Sequence, residues 1–440
     1  MSSCSNEATN RGAFTEEFAA ERLEKVFGKE HVFRNVDIWE AKGKKIGEID
    51  TLVLFGDRAI VVQAKSKKLT IAARKGNDLQ LQADFKAAVQ DACDQAVLCS
   101  QHLASASAKF TDSAGNEIKI PPSIKAVHPV CLVAEHYPAL SVQARHFLKH
   151  TASGVVKEPL VCDVFFLDTL TEMLETPLRC LSYLELRALA GDKIMFSHEH
   201  AVLGYHLKQN LWLGDHDIIW LDDDLATDLN IAMAVRRDGV DGERTPRGIL
   251  TELRGLTIGR MIEELEKRSD AGAVDLGLEL LKLSGDTARG LSQVTDKMVA
   301  RAAKDSKEHN ASFGFSKAGS GITVHCNDLP NAEAAAKLKA HCELRKHDQK
   351  AGRWLGLTVS PGSGALRFGL SLDYPWAADK AMDENVAKML KTGRRVEVLR
   401  HFDKGLSRPG KKVGRYQRCP CGSMMKFIKC CFHRQRSIRP

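Results

Sequence analysis

The sequence predicts a mixed fold in three parts: an α/β domain at residues 1–150, an α+β domain at residues 155–400 and a small cysteine-rich module at residues 404–440. Near the N-terminus, strand-like alternation lies between stretches with helical periodicity. Near the C-terminus, four of the twelve cysteines cluster within thirteen residues. A chain of 440 residues, 43% hydrophobic and 27% charged, is long enough for two or three domains with substantial cores.

The first helix is predicted at residues 15–27. Thr15 is suited to cap its N-terminus, glutamates follow in the first turn, and Gly28 is a typical C-terminal stop. Apolar residues at helical spacing are expected to be buried: Phe18, Leu23, Val26 and Phe27.

A β-hairpin is predicted next, with strands at residues 46–54 and 59–64. Residues 55–58 join them, and there Gly and Asp supply turn chemistry. Alternate residues of the second strand are apolar and are expected to pack into a core: Ile60, Val62 and Ala64.

The same hairpin carries polar side chains. Because side chains alternate along a strand, Glu48 and Asp50 share one face of the first strand. By the same rule, Gln63 and Lys65 share one face of the second strand with Val61. Adjacent strands therefore bring two carboxylates, an amide and an ammonium together. The alternative is an ordinary amphipathic hairpin with a polar, solvated face.

This set of groups suits the hydrolysis of phosphodiester bonds. A hard cation such as Mg²⁺ or Mn²⁺ prefers oxygen ligands, polarises the phosphate and lowers the pKa of an attacking water. Asp50 is expected to be the central ligand, and Gln63 offers a neutral carbonyl oxygen. Lys65 is expected to orient the water and to offset the negative charge of the transition state.

These residues resemble the PD-(D/E)xK nuclease superfamily, whose signature places an acidic residue on one strand and Glu/Asp/Gln-x-Lys on the next. The Gln variant resembles the Mrr-like restriction endonucleases and the nuclease-related domain called NERD. The resemblance implies a restriction-endonuclease-like core of helix, three strands, helix and strand, an order that residues 14–134 offer. It also implies an outer metal ligand early in the first helix, which is Glu16 by spacing, with Glu17 as the alternative. First-turn acids also complement the helix dipole.

Beyond the hairpin, a long amphipathic helix is predicted at residues 78–103. A short strand follows at residues 127–133, and Pro129 favours a place near the sheet edge or the strand start. One stripe of the helix is apolar: Phe85, Val89, Ala92, Ala96, Cys99 and Leu103. Between hairpin and helix lie four basic side chains that either contact phosphates or are simply solvated: Lys67, Lys68, Arg74 and Lys75.

The central part of the chain carries no catalytic motif. Its predicted elements are a strand at 160–167, helical patches at 169–189 broken at Pro177, helices within 273–307, a hairpin at 354–360 and 365–372, and a helix at 377–390.

An acidic group in the central part raises the hypothesis of a second metal site: Asp215, His216, Asp217, Asp222, Asp223 and Asp224. A solvated loop and helix start is the favoured interpretation, because acidic residues cluster at helix N-termini.

The C-terminal cysteines are predicted to bind structural Zn²⁺ through four thiolates: Cys419, Cys421, Cys430 and Cys431. Disulfides are disfavoured because the other cysteines are scattered, as in a reduced cytosolic protein. The spacing resembles the SEC-C motif, named for the C-terminus of the SecA translocation ATPase, and His433 is a substitute ligand. Residues 404–440 carry eleven Lys and Arg and no Asp or Glu, which exceeds the net charge of the whole chain, +8. Such a tail suits contact with nucleic acid, the ribosome or a protein partner.

The sequence therefore predicts a Mg²⁺-dependent endonuclease that acts on nucleic acid, with DNA favoured over RNA by resemblance. The alternative is a catalytically inactive, nuclease-like adaptor whose zinc tail docks on a protein or ribosome partner. The first residues lack a signal-peptide pattern and no apolar run could span a membrane, so a cytoplasmic location without membrane contact is expected.

Overall fold

A computed structural model describes residues 2–65, 78–105, 107–134, 148–149, 153–214, 216–315, 319–392 and 397–398. All of these belong to one compact unit, Met1–Leu399. The predicted zinc ligands and the basic tail lie outside the described residues, as do Asp215 and the basic residues of 66–75.

A six-stranded mixed sheet organises the N-terminal part. In space its order is β4-β1-β2-β3-β5-β6. Strands β1, β2 and β3 form an antiparallel meander, whereas β5 is parallel to both β3 and β6. The strands are β1 (Val32–Ala41), β2 (Lys44–Phe55), β3 (Arg58–Lys65), β4 (Lys109–Thr111), β5 (Ala126–Val133) and β6 (Leu160–Asp163).

Helices cover both faces of this sheet. On one face lies α1 (Ser2–Phe27), packed against β1, β2 and β3. On the other lies a long helical segment: α2 (Asp78–Phe85), one π-helical turn (Lys86–Gln90) and α3 (Asp91–Ser105). The apolar stripe predicted for this segment is buried along its whole length, because it faces the sheet. The predicted order of helix, three strands, helix and strand is confirmed, with the short β4 added.

The predicted hairpin is also confirmed. Strands β2 and β3 pair antiparallel around a tight turn at Gly56 and Asp57. Gly56 has a left-handed φ of 62°, and a Cβ there would approach Val274 Cγ2 to 2.9 Å. A side chain at this position would therefore be strained both in its backbone and in its packing.

Three predicted boundaries are wrong. Helix α1 begins at Ser2, so Thr15 is a buried residue inside the helix and not its cap. Strand β5 lies inside the sheet between β3 and β6, and Pro129 is accommodated because pairing with β6 starts one residue later, at Val130. The strand expected at residues 160–167 ends at Asp163, whose carboxylate accepts from the backbone N–H of Phe166 and so starts a helix.

A helical region follows. Pro177 is the first residue of its helix, which confirms the predicted break. Residues 273–307, predicted to be mostly helical, lie largely in two helices, which confirms that prediction. The elements are α4 (Val164–Met173), α5 (Pro177–Ala190), β7 (Ile194–Met195), α6 (Glu199–Gln209), β8 (Ile219–Trp220), α7 (Thr227–Arg237), α8 (Ile249–Glu252), α9 (Thr257–Leu265), α10 (Ala271–Leu281) and α11 (Gly285–Asp305).

A second, five-stranded sheet closes the described chain, with the order β12-β11-β10-β9-β13. Two antiparallel hairpins lie side by side in it, each followed by a helix, and the predicted hairpin is the second of them. The elements are β9 (His309–Phe315), β10 (Ser320–Cys326), α12 (Asn331–Asp348), β11 (Arg353–Val359), β12 (Leu366–Asp373), α13 (Lys380–Thr392) and β13 (Glu397–Val398).

One hydrophobic core joins these parts. It extends from Ala19 and Leu23 of α1, through the helical region, to Leu357 and Val359 of the second sheet. Strand β6, which follows residue 155, completes the first sheet. The position of a domain boundary at 150–155 stays a prediction. No helix among the described residues is both long and apolar enough to cross a membrane.

Candidate functional site

The candidate site lies where β2 and β3 stop pairing. Their backbone ladder runs from Phe55 opposite Arg58 to Thr51 opposite Val62. Beyond that point side chains replace the backbone hydrogen bonds. Asp50 Oδ2 accepts from the Ala64 N–H at 2.7 Å, and Gln63 Nε2 donates to the Glu48 carbonyl at 2.6 Å. Two of the predicted site residues therefore hold the strand ends together.

Gln63 is fully buried and has one polar atom without a partner. Its Nε2 is bonded to the Glu48 carbonyl, but its Oε1 has no hydrogen-bond partner and no contact with solvent. If the Gln63 amide were turned over, its Oε1 would lie against the Glu48 carbonyl oxygen, and two acceptors would face each other. The orientation with Nε2 toward Glu48 is therefore the favourable one. Since a buried, unpaired acceptor costs about 1–3 kcal/mol, Gln63 Oε1 is available for a cation. This burial also contradicts the alternative of a solvated polar face.

Asp50 is partly buried, and its pKa is raised to about 6. Burial is the largest cause, and the nearby charges of Glu16 and Glu48 add to it. The Ala64 N–H and the Lys65 ammonium act in the opposite direction. Asp50 is therefore ionised at neutral pH but held in an environment that favours any added positive charge.

Lys65 lies at the last position of β3, where it is partly buried. Its Nζ is 3.4 Å from Oε1 of Gln95 on α3. Its charge lowers the pKa of both Asp50 and Glu16. The ammonium therefore acts on both carboxylates, although within the described residues it forms an ion pair with neither.

The two outer glutamates differ. The Glu48 carboxylate is 44% exposed and accepts from Lys45 Nζ at 2.7 Å; that ammonium also bonds Asp37, at 2.6 Å. Glu16 is partly buried, and its pKa is raised by burial first and then by Glu48, while Lys65 lowers it. Glu16 therefore interacts electrostatically with Glu48 and Lys65, whereas the Glu48 carboxylate is paired with Lys45.

The structure thus brings all five predicted residues into one neighbourhood, and their roles stay predictions. Within the described residues, no group of three or more His, Cys, Asp and Glu side chains is arranged to hold a metal ion. Mg²⁺ commonly takes only one or two protein carboxylates and completes its shell with water and phosphate oxygens. Asp50 with the unpaired Gln63 Oε1 fits that minimal set.

Comparison with known proteins bears on the same region. Residues 11–132 match the family model of the nuclease-related domain, NERD. The match starts within α1, ends in β5 and includes every predicted residue of this site. No curated protein and no solved structure matches the chain. Residues 11–132, called the NERD region below, are therefore similar to a nuclease-related domain.

Sequence reasoning missed two residues that line the NERD site. Gln95 and Cys99, one turn apart on α3, both reach the Glu48 carbonyl, with Gln95 Nε2 at 3.3 Å and Cys99 Sγ at 3.5 Å. A signal was available, since Cys99 belongs to the predicted buried stripe and Gln95 precedes Ala96 of that stripe. The clue is a polar residue beside a stripe that faces the sheet with the candidate site.

The described residues of the acidic cluster in the central part, His216, Asp217 and Asp222 to Asp224, are exposed. Asp222, Asp223 and Asp224 are all exposed, and they open a short 3₁₀ turn, Asp223–Ala226. Asp223 is paired with Ser197 and lies 3.5 Å from His198 Nε2. These features agree with the favoured interpretation of a solvated helix start.

Proposed function

We propose that this protein is a metal-dependent nuclease that hydrolyses phosphodiester bonds, with DNA favoured over RNA. The observation that carries the proposal is the buried, unpartnered Gln63 Oε1, one residue before the Ala64 N–H that binds Asp50, whose pKa is raised. Both lie in the region that matches NERD. Gln63 Oε1 has no hydrogen-bond donor, and Asp50 has too little positive charge around it. A divalent cation bound to these two oxygen ligands would satisfy both.

Asp50 and Gln63 would hold Mg²⁺ or Mn²⁺, and Glu16 and Glu48 would support the cation from outside. The bound cation supplies polarisation of the phosphate and a lower pKa for the attacking water. Lys65 would place its ammonium beside the phosphate oxygens and offset the charge that builds during the attack. The Ala64 N–H holds Asp50 in place through its Oδ2, which leaves the other carboxylate oxygen for the ligand.

The C-terminal module is proposed to bind structural Zn²⁺ through the four clustered cysteines. Its basic residues would add affinity for the phosphate backbone that does not depend on sequence. Cleavage would then take place in the NERD region, while the tail retains the nucleic acid or a protein partner.

The test is an incubation of the full chain with circular duplex DNA, single-stranded DNA and RNA in Mg²⁺, Mn²⁺ or EDTA. Asp50→Asn keeps an acceptor for the Ala64 N–H, and Lys65→Ala removes the ammonium. Lys109→Ala, at a 55% exposed lysine of the same sheet, is the matched control. The proposal requires cleavage by wild type and control, none in EDTA, none by Asp50→Asn and a strongly reduced rate by Lys65→Ala.

One observation favours a second candidate, a binding protein without catalysis. The Glu48 carboxylate is occupied by Lys45, so the site offers few free carboxylates. Deletion of residues 404–440 distinguishes the two functions. A nuclease would lose substrate affinity but retain some metal-dependent cleavage, whereas an adaptor would lose its entire binding activity.

A further inference from the structure

We propose that Gln95 is a positioning residue for Lys65, an inference that rests on the proposed nuclease function. Gln95 Oε1 lies 3.4 Å from Lys65 Nζ, and its Nε2 donates to the Glu48 carbonyl at 3.3 Å. One amide therefore links the end of β3 to β2 across the gap where their ladder has ended. It holds the ammonium close to Asp50 without adding a negative charge there.

Only an amide of this length satisfies both contacts. The ammonium of Lys65 takes an acceptor, and the Glu48 carbonyl, which already accepts from Gln63 Nε2, takes a further donor. A carboxylate would direct an oxygen at that carbonyl, and its charge would raise the already elevated pKa of Asp50 further. A hydrocarbon side chain would leave both partners without their contact.

The helix that carries Gln95 crosses the sheet. Its buried residues Phe85, Val89, Ala92 and Cys93 pack with strands β5 and β6, and Ala96, Cys99 and Leu103 pack with the central strands, including β2 and β3. Gln95 therefore lies where the helix passes from one group of strands to the other. The π-helical turn Lys86–Gln90 precedes this point, and such turns are frequent at functional sites.

The Glu48 carbonyl links Gln95 to the metal ligand Gln63. It accepts from Gln63 Nε2 at 2.6 Å, from Gln95 Nε2 at 3.3 Å and from Cys99 Sγ at 3.5 Å. Gln95 therefore fixes a carbonyl whose direction determines where Gln63 Oε1 points. A single residue of α3, Gln95, therefore positions Lys65 directly and Gln63 through the Glu48 carbonyl.

The first experiment is a double-mutant cycle on cleavage by the full-length protein. Gln95→Met, which keeps the side-chain length, is expected to lower kcat about tenfold with little change in KM, because the ammonium is misplaced but substrate binding is retained. Gln95→Met added to Lys65→Ala should cost less than twofold more. Gln101→Met, at an exposed glutamine of the same helix, should match wild type. Losses that multiply in the double variant would overturn the inference.

The second experiment does not depend on cleavage. Lysines of the full chain are reductively methylated with ¹³C-formaldehyde, and the Lys65 resonance is assigned by its loss in Lys65→Ala. Gln95→Met should shift and narrow this resonance, and Gln101→Met should leave it unchanged. An unchanged resonance in Gln95→Met overturns the inference even if wild type cleaves. A shifted resonance in a wild-type protein that cleaves nothing rejects the nuclease proposal but retains the contact.

Discussion

The two ends of strand β3 contrast in how their charges are compensated. At its start, the buried Arg58 is paired with Asp57, with Glu185 at 2.8 Å and with Asp275 at 3.4 Å. Asp275 is also bonded to Arg353, at 2.8 Å, so the turn of the hairpin is tied to both the helical region and the second sheet. At its other end, Gln63 and Asp50 lack such compensation.

The pKa values express the same difference. Although burial raises the pKa of Glu185 and Asp275, Lys282 and Arg58 around the first and Arg353 around the second outweigh it, and both values are lowered. For Asp50 burial prevails, and the pKa is raised to about 6. Compensated buried charge at the start of β3 holds the fold together, whereas the less compensated carboxylate of Asp50, on β2 beside the end of β3, identifies the place where a ligand would be bound.

The largest effect is expected at the compensated end. Arg58→Met removes the cation and leaves buried carboxylates with too little positive charge, so the free energy of unfolding should fall by about 3–5 kcal/mol. Urea denaturation measures this, with Arg247→Met at an 85% exposed arginine as the control. Equal stabilities for the two variants would remove the contrast between the strand ends.

At the other end, the loss should be in activity. Lys65→Ala should reduce cleavage about 10²–10³-fold, because a cation placed at the developing charge is lost. Its urea midpoint should stay within the error of Lys109→Ala, since no carboxylate in the described part of the chain forms an ion pair with Lys65. A large drop in stability would assign Lys65 to the scaffold.

Asp50→Asn should increase stability while it abolishes cleavage. The carboxyl has its ordinary pKa of 3.8 when unfolded and about 6 when folded, so its neutral form favours folding. That contribution is complete below about pH 4 and is lost as the pH rises through 6. The variant should therefore nearly match wild type at pH 4 and exceed it by about 3 kcal/mol at pH 8, because each unit of pKa difference corresponds to about 1.4 kcal/mol. Thermal melts across this range measure the difference, and a less stable variant at pH 8 would contradict it.

The smallest effect concerns the pH dependence of cleavage. Because Asp50 must be ionised to bind a cation, metal-dependent kcat/KM should fall about tenfold per pH unit below an inflection near pH 6. Saturating metal should move the inflection to lower pH, since the cation favours the carboxylate. An inflection that does not respond to the metal concentration would assign it to another group.

Much of the fold was predictable because its signals are local. Alternation in residues 59–64 and the 78–103 stripe identify a strand and a helix without any tertiary information. The run Val164–Met173 was assigned partly to a strand because its β-branched and aromatic residues resemble one, and the cap at Asp163 decides otherwise. Thr15 resembled a cap, but α1 continues through it because tertiary packing buries it.

The candidate residues of the site were predictable, but their environment was not. Asp50, Gln63 and Lys65 follow from spacing along two strands. The contact of Gln95 with Glu48 joins residues 47 positions apart and exists only in the folded chain. Burial at Gln63 and the direction of the pKa shift at Asp50 likewise depend on α3 and the neighbouring charges.

The continuous core determines how the chain unfolds. Apolar residues from Ala19 to Val359 exclude water jointly, so the NERD region and the sheet at the end of the described chain should unfold in one cooperative transition. A fragment cut after residue 150 would lack β6 and would expose the apolar residues of α1 and of the first sheet that pack against the helical region. Genetic dissection of this protein is therefore better done by substitution than by truncation within residues 1–399.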